Sequence, residues 1–405
     1  MDRFPISTWT YFDAQDAWEN LAVDYRDLGM TNPMSPQLMV GQDPQVLLHQ
    51  LDLFHAQGLK AIVRDFRLVA SGCMGISEEA YREKVRLSMK EIGWHPAVSG
   101  FMVGDEPGAA ELPHFMMCAR VQREEAPHLV PCLNLLPWQN NPGAFGTNTY
   151  GEYIDKVFAE TKLPLVGFDC YSQMQGNEDG IETYFNSLRE MRDSANRNNT
   201  AYGVTVLASG HFGYACPSQA DFRWQISTAA ALGARTICYY YVVEVRPWDN
   251  YSHFPINQFR ERTEAFGWLA EENRMFLFRH AELLMKLRCV KTAFTVKAYG
   301  GNDWFVPDDT LLALHSYNGI NLLVSTFVDE EGNKYRAIVN VDREKNCKAR
   351  MVFAPNVKLE QLVSGDTWRN RGLESCSCGP YKRDNGVITQ WFNPGQMEIF
   401  REIVE

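Results

Sequence analysis

The sequence predicts an α/β fold, a (β/α)8 TIM barrel followed by an all-β antiparallel sandwich domain. Short apolar runs alternate with amphipathic helical stretches eight times in the first part of the chain, which is the count expected of such a barrel. After Arg288 the helical periodicity ends and short alternating segments follow. With 405 residues, the chain is long enough for two domains. We therefore expect a barrel over residues 1–289 and a β-sandwich over residues 290–405.

Each predicted strand of the barrel is a continuous apolar run, because strands of a parallel sheet are buried on both faces. The strand–helix pairs are, in order, residues 4–12 and 13–28, 30–35 and 44–57, 60–65 and 77–92, 98–105 and 111–125, 129–135 and 150–161, 164–171 and 180–196, 201–207 and 218–232, and 235–243 and 256–287. A doubly wound sheet is the alternative. It would show a Gly-rich phosphate turn after its first strand, where Trp9-Thr10-Tyr11-Phe12 stands instead.

The C-terminal part shows the shorter spacing of an antiparallel sandwich. The predicted strands are residues 290–299, 310–316, 319–329, 334–342, 347–354, 359–363, 387–392 and 396–400. The segment Asp329-Glu330-Glu331-Gly332-Asn333 is typical of a hairpin turn, with glycine available for a positive φ.

Composition narrows the classes of partner. The net charge of -11 argues against nucleic acid or an anionic membrane surface, since both attract a basic face. No apolar run reaches the length of a membrane span, so we expect no membrane insertion. The first residues lack the apolar core of a signal peptide. We expect a cytoplasmic protein, or a periplasmic or secreted one whose leader has been removed.

The segment Gly104-Asp105-Glu106-Pro107 is the most informative motif, because it places two carboxylates where a barrel strand ends. Repulsion between them raises the pKa of one, which suits a general acid near neutral pH. We expect Glu106 to be that acid and Asp105 to orient it; the alternative is that Asp105 caps the next helix. Neighbouring side chains on a strand point to opposite faces, so a second catalytic carboxyl should come from another strand.

Two carboxylates are candidates for that second catalytic group. Asp169 ends the sixth predicted strand, and Glu244 follows the eighth. The structural alternative for Asp169 is a hydrogen bond that fixes a neighbouring loop. For Glu244 it is an ion pair with Arg246 or Arg262. The residues do not decide between Asp169 and Glu244.

Other polar and aromatic residues at the predicted strand ends suit a carbohydrate, which offers hydroxyls for hydrogen bonds and flat C–H faces for stacking. The candidate substrate-binding residues are Trp9, Arg64, Asp65, Asn134, Trp138, Tyr171, His211, Tyr240 and Trp248. Asp65 has an alternative role in an ion pair with Arg64 or Arg67. None of the 9 histidines falls in an H-x-H or H-E-x-x-H pattern, so we expect neither a metal nor a cofactor.

Four motifs together resemble the TIM-barrel glycoside hydrolases of clan A type found in Bacteroidota. They are Gly104-Asp105-Glu106-Pro107, Asn134-Leu135-Leu136-Pro137, Gly167-Phe168-Asp169-Cys170-Tyr171 and Ala229-Ala230-Ala231-Leu232-Gly233-Ala234. The resemblance implies a carbohydrate substrate, a C-terminal β-sandwich and Glu106 as acid/base. The main clan has Asn before this Glu and a nucleophilic Glu at the end of strand 7.

This chain departs from the clan at both of those positions. Asp105 stands where the clan has Asn, and strand 7 ends in Leu207-Ala208-Ser209. The nucleophile is therefore not carried over by the resemblance. Two hypotheses follow: a hydrolase that uses Glu244 or Asp169 as nucleophile or base, and a non-catalytic carbohydrate-binding relative.

Overall fold

The computed structural model describes residues 3–175, 180–245, 249–371 and 386–405. Its first sheet has eight parallel strands in the order β1-β8-β7-β6-β5-β4-β3-β2. The strands are β1 (Ile6–Thr8), β2 (Met34–Leu38), β3 (Ala61–Asp65), β4 (Val98–Asp105), β5 (Val130–Leu135), β6 (Leu165–Asp169), β7 (Ala201–Leu207) and β8 (Thr236–Tyr240). This sheet confirms the predicted barrel.

The barrel is nearly closed between its first two strands. The backbone N–H of Gln37 donates to the carbonyl of Phe12 (2.9 Å), and Asp13 and Gln37 form a parallel bridge. Close strand packing is visible at Gly100 on β4. A Cβ built there would lie 1.9 Å from the carbonyl oxygen of Val130 on β5, so only glycine fits without a backbone shift.

Helices connect the strands, as the amphipathic stretches predict. They are α1 (Leu21–Asp27), α2 (Pro44–Ala56), α3 (Glu78–Ser88), α4 (Leu112–Glu125), α5 (Tyr150–Thr161), α6 (Ile181–Asn198), α7 (Gln219–Ala231), α8 (Glu264–Phe276) and α9 (Glu282–Leu284). Side chains cap several of the first turns: Thr149 accepts from the N–H of Glu152, and Ser218 and Asp221 form a reciprocal capping box.

The chain divides into two compact units. One consists of residues 5–216 and 236–271 and contains all eight barrel strands. The other contains residues 217–235 and 272–405 with the start of the chain. Helix α7 belongs to this second unit, where the indole N–H of Trp224 donates to the carbonyl of Val341 (2.9 Å). This β-rich unit includes α7 as well as residues 290–405; the domain bounds 1–289 and 290–405 stay a prediction.

The β-rich unit has two sheets, in the orders β10-β9-β12-β13-β18-β15-β16 and β11-β14-β17. Its strands are β9 (Arg288–Phe294), β10 (Asp303–Trp304), β11 (Leu311–Ser316), β12 (Leu322–Val328), β13 (Lys334–Asn340), β14 (Cys347–Phe353), β15 (Val357–Ser364), β16 (Thr367–Asn370), β17 (Val387–Phe392) and β18 (Met397–Val404). All pairs are antiparallel except β9 with β10. Both sheets bury side chains in one core, for example Met351 and Phe400, which confirms the predicted sandwich.

Among the helices in the described parts of the chain, none combines the length and apolar character needed to cross a membrane.

Candidate active site

Three neighbouring strands bring polar side chains to the carboxyl end of the barrel. β4 ends at Asp105, and β6 ends at Asp169. β5 lies between them, with Asn134 paired in register with Asp105 on one side and with Gly167 on the other. Because carboxyl ends of parallel strands meet at one rim, Asp105, Asn134 and Asp169 are adjacent although they are far apart in sequence.

Asn134 joins the carboxyl groups of this rim. Its side-chain amide donates to Asp105 Oδ1 (2.9 Å) and to Asp169 Oδ1 (3.0 Å). Its backbone carbonyl accepts the N–H of Glu106 (2.9 Å). Asn134 is buried, and Gly167 leaves room for its amide oxygen, since a Cβ there would lie 3.2 Å from Oδ1. Both amide protons are already used, so Asn134 fixes the acids rather than offering a free donor to a substrate.

The carboxyl groups of Glu106 and Asp169 are close enough to shift each other's pKa. Two neighbouring carboxyl groups favour a state in which one of them is protonated. Desolvation raises the pKa of Glu106, the interaction with Asp169 opposes this rise, and the nearby charge of Asp105 adds to it. Desolvation also raises the pKa of Asp169 well above its usual range, followed by the charges of Glu106 and Asp105. The pair therefore holds a proton at a pH where isolated carboxyls have lost theirs.

Glu106 also has an unusual backbone conformation. Its φ is 43°, in the left-handed region that non-glycine residues adopt at a cost. The strand ends one residue earlier, and Pro107 follows. This turn lifts the Glu106 side chain out of the strand and exposes it at the rim.

Asp105 is accessible at the rim but has a cationic neighbour. Desolvation raises its pKa, while the hydrogen bond from Asn134 and the charge of Arg64 lower it. Arg64 is 6% exposed and donates to the carbonyl of Thr10. Its guanidinium lies 5.5 Å from the ring centroid of Trp9 and 5.0 Å from that of Tyr11. Arg64 is thus a buried cation that keeps Asp105 closer to its ionised form than burial alone would allow.

Aromatic rings form a continuous strip next to the acids. Tyr171, two residues after Asp169, lies 5.6 Å from Tyr240 between ring centroids, and Tyr240 lies 5.8 Å from Tyr11. Tyr11 stacks on Trp9 at 6.0 Å and 16°. We call Tyr171, Tyr240 and Tyr11 the tyrosine strip. The predicted residues Trp9, Arg64, Tyr171 and Tyr240 therefore lie together on one side of the carboxyl groups.

His211 lies beside the tyrosine strip and is almost fully buried. Its ring stacks on Tyr251 (5.1 Å, 9°) and packs 4.9 Å from Tyr240. Burial lowers the pKa of His211, so the imidazole is neutral at physiological pH. Nδ1 lies 3.3 Å from the carbonyl oxygen of Ser209. His211 thus belongs to the aromatic wall of the site and not to the group of acids.

Glu244 lies apart from the carboxyl groups, in a cavity of about 310 Å³ after β1 and β8. We call this cavity the Glu244 pocket; its lining used below consists of Phe12, Trp18, Glu244, Gln258 and Arg260. Glu244 accepts the backbone N–H of Gln258 (3.3 Å). Of the two ion pairs that the sequence left open, the one with Arg262 does not form, because Arg262 binds Asp24 and Asp27 (both 2.8 Å). Arg246, the other partner, lies outside the described residues.

The remaining candidates have separate surroundings. Asp65 is buried, forms an ion pair with Arg67 (2.6 Å) and accepts a hydrogen bond from Ser88 Oγ (2.6 Å). It therefore has the ion-pair role that the sequence left open. The backbone N–H of Trp138 donates to Ser187 Oγ (3.0 Å), and its side chain is half-buried. Trp248 lies outside the described residues.

Two further tyrosines complete the aromatic wall: sequence reasoning missed Tyr11, whereas it placed Tyr251 on a predicted rim loop as a possible sugar platform. Tyr11 links Arg64 to Tyr240, and burial raises its pKa well above the usual value. Tyr251 stacks on His211, and its hydroxyl lies 3.2 Å from that of Tyr240. Tyr11 follows the first strand by three residues, so its position in the strand-end loop was a usable signal. Tyr251 follows β8 by eleven residues, and only the folded loop brings it back.

The arrangement is suited to proton transfer at a rim lined with aromatic rings. It has two neighbouring carboxyl groups whose pKa values are raised, a third carboxylate near a buried cation, and flat apolar surfaces. Within the described ranges, no group of three His, Cys, Asp or Glu side chains is arranged to hold a metal ion.

No protein-family model and no curated protein matches this chain. Solved structures do match it. Over 99% of this chain and 98% of the other, it is similar to a catalytic mutant of Gan42B, a GH42 β-galactosidase from G. stearothermophilus (TM-score 0.65, 8% identity). It is also similar to a family 39 glycoside hydrolase from Bacteroides cellulosilyticus WH2 (TM-score 0.52, 10% identity, 99% and 81% covered). At these identities the likeness shows a shared fold.

Other matches are to longer proteins. The β-galactosidase from Rahnella sp. R3 matches with a TM-score of 0.51 and 11% identity over 68% of this chain. The chain spans 56% of the length of that enzyme and 59% of the β-galactosidase from Marinomonas ef1.

Proposed function

We propose that this protein is a glycoside hydrolase that acts on an oligo- or polysaccharide, with Glu106 as the general acid/base. The observation that carries the proposal is the cluster of carboxyl groups at the barrel rim, where Asn134 binds Asp105, Asp169 and the backbone of Glu106 and where the pKa of Glu106 is raised. A general acid must keep its proton until the leaving oxygen arrives, and a raised pKa provides this. The shared fold with GH42 and family 39 enzymes supports the same proposal.

Asp169 is our choice for the second catalytic carboxyl, as nucleophile or base. Of the two candidates, Asp169 is close enough to Glu106 for each to shift the other's pKa, whereas Glu244 lies in its own pocket. Hydrolysis places the scissile bond between two carboxyls about 5–5.5 Å apart in retaining enzymes and about 6.5–9.5 Å apart in inverting ones. We infer that a substrate separates Glu106 from Asp169 when it enters. The proton, which the interaction of the pair favours on Asp169, must then pass to Glu106 and leave a free carboxylate on Asp169.

Asp105 and Arg64 have supporting roles in this proposal. Asp105, held by Asn134 and close to Arg64, adds negative charge that stabilises the oxocarbenium-like transition state. The half-buried rings of Tyr171 and Tyr240 offer stacking surfaces for the sugar, while Trp9 is buried behind Tyr11 and supports the wall. The chemistry needs no metal or cofactor.

The experiment is hydrolysis of a panel of 4-nitrophenyl glycosides and oligosaccharides by the wild type and by Glu106→Gln. We expect the variant to lose at least about a hundredfold in kcat/KM, because glutamine cannot donate the proton. The matched control is Glu160→Gln on α5, an exposed position, which should keep wild-type activity. A Glu106→Gln variant with full activity would contradict the assignment of the acid.

A second candidate function is carbohydrate binding without turnover. One observation favours it: β7 ends at Leu207 and continues into buried Ala208 and Ser209, where the clan that the sequence resembles carries its nucleophile. In that case the wild type would cleave no glycoside of the panel, while one of the sugars would raise its melting temperature.

A further inference from the structure

The Glu244 pocket has a shape set by two loops of the barrel unit. The N–H of Glu244 donates to the carbonyl of Ile256 (2.9 Å), and the N–H of Arg260 donates to the carbonyl of Asn257 (2.9 Å). These bonds hold the segment that carries Gln258 and Arg260 against the end of β8. Phe12 and Trp18, from the loop after β1, form the other wall, with ring centroids 5.5 Å apart.

The pocket keeps an anion and a cation apart. When the Gln258 amide is oriented with its nitrogen toward Glu244, which satisfies both groups, it donates to both carboxylate oxygens (2.7 and 3.0 Å). Arg260 donates to the carbonyl of Asp16 (2.9 Å), and its guanidinium lies 4.9 Å from the centroid of Trp18. In the described structure, neither Glu244 nor Arg260 forms an ion pair with another side chain. Both therefore retain hydrogen-bonding capacity toward a ligand.

Sugar hydroxyls match this lining. A hydroxyl can donate to the Glu244 carboxylate, and another can accept from Arg260. The edges of Phe12 and Trp18 supply apolar contact for C–H groups. A volume of about 310 Å³ is at the lower end of small-ligand sites, which is the size of one sugar unit and not of a longer chain.

The tyrosine strip runs from the acids to the chain segment that forms one wall of the pocket. Tyr171 follows Asp169 by two residues, Tyr11 immediately precedes the pocket residue Phe12, and the ring separations along the strip are 5.6 and 5.8 Å. We propose that the Glu244 pocket binds a second sugar unit of the same chain whose glycosidic bond is cleaved at Glu106. This inference rests on the proposed function and makes Glu244 a binding residue that sets a preference for oligosaccharides over monoglycosides.

The test compares Glu244→Gln with the wild type on two kinds of substrate. These are the 4-nitrophenyl monoglycoside cleaved in the panel and the tetrasaccharide of the same sugar. We expect KM for the tetrasaccharide to rise about tenfold, because a hydrogen bond to a charged group is lost. The kcat values and the monoglycoside kcat/KM should stay within about twofold. Arg260→Met should give the same split, and Glu160→Gln should change nothing.

Each other outcome has a definite meaning. A loss of about a hundredfold or more in kcat on both substrates would make Glu244 catalytic and overturn the inference. Unchanged KM for the tetrasaccharide would also overturn it. If the wild type hydrolyses nothing, calorimetry with galactose, glucose and xylose tetrasaccharides replaces kinetics. Weaker binding by Glu244→Gln would then support the sugar-binding role of the pocket, although the proposed hydrolase function had failed. Equal binding by the variant and the wild type, or no binding by the wild type, would refute the sugar-binding role of the pocket.

Discussion

Replacing Asn134 with leucine removes the hydrogen bonds that link the carboxyl groups of the site. The wild-type amide donates to Asp105 (2.9 Å) and Asp169 (3.0 Å). Leucine has a similar volume but no donor, and it also keeps water out. Asp105 and Asp169 each lose a hydrogen-bond donor that stabilises the ionised carboxylate, so we expect the pKa of both to rise.

The magnitude follows from the bonds that are lost. A hydrogen bond to a charged group contributes about 1.5 kcal/mol at the low end, and about 1.4 kcal/mol corresponds to one pKa unit. Asp105 is accessible, so solvent screening reduces its share. Half-buried Asp169 should show most of the effect. If Asp169 must be ionised to react, the acidic limb of the kcat/KM profile should move up by about one pH unit.

The assay is kcat/KM between pH 4 and pH 9, a range chosen to contain both limbs, on a cleaved 4-nitrophenyl glycoside. Activity of Asn134→Leu should fall about tenfold relative to the wild type on the acidic limb and little near pH 8, where the carboxylate is ionised in both. Asn141→Leu, at an exposed position, is the matched control. Superimposed profiles, or a shift to lower pH, would refute the role given to Asn134.

Two further predictions concern stability. Gly100→Ala should destabilise the barrel by about 1–3 kcal/mol or more, because its Cβ would lie 1.9 Å from the carbonyl oxygen of Val130. Gly213→Ala is the matched control, since a Cβ there has no atom within 4 Å. Equal melting temperatures for the two variants would contradict this prediction. In the β-rich unit, Arg336 and Glu402 form a buried ion pair (2.8 Å, side chains 5% and 0% exposed). Arg336→Met should therefore cost about 3–5 kcal/mol, and adding Glu402→Leu should restore part of the melting temperature; a single variant as stable as the wild type would show that the pair is dispensable.

The barrel strands were predictable because strands buried on both faces have continuous apolar sequences. Residues 201–207 match β7 at both ends, and residues 150–161 match α5. The short strand β16 (Thr367–Asn370) was missed because it is mostly half-buried and lacks a clear alternation. The assignment of α7 to the β-rich unit depends on tertiary packing around Trp224, which no local pattern records.

The site was predictable as a set of strand ends but not as a set of contacts. Adjacent strands brought Asp105, Asn134 and Asp169 together as parallel pairing requires. The direction of a side chain is decided by its neighbours, and Arg67 draws Asp65 away from the rim. Glu244 follows β8 by four residues. The loop that accepts its backbone N–H directs Glu244 into a separate pocket.

Selection for stability and selection for activity would treat Glu106 in opposite ways. Its φ of 43° is a conformation that glycine adopts freely and that a residue with a Cβ adopts at a cost of about 1–2 kcal/mol. A library screened only for heat tolerance should therefore enrich glycine at this position and discard the proton donor. Engineering of a more thermostable variant must therefore keep Glu106. Replacing it with glycine relaxes the backbone most easily but also removes the proposed proton donor.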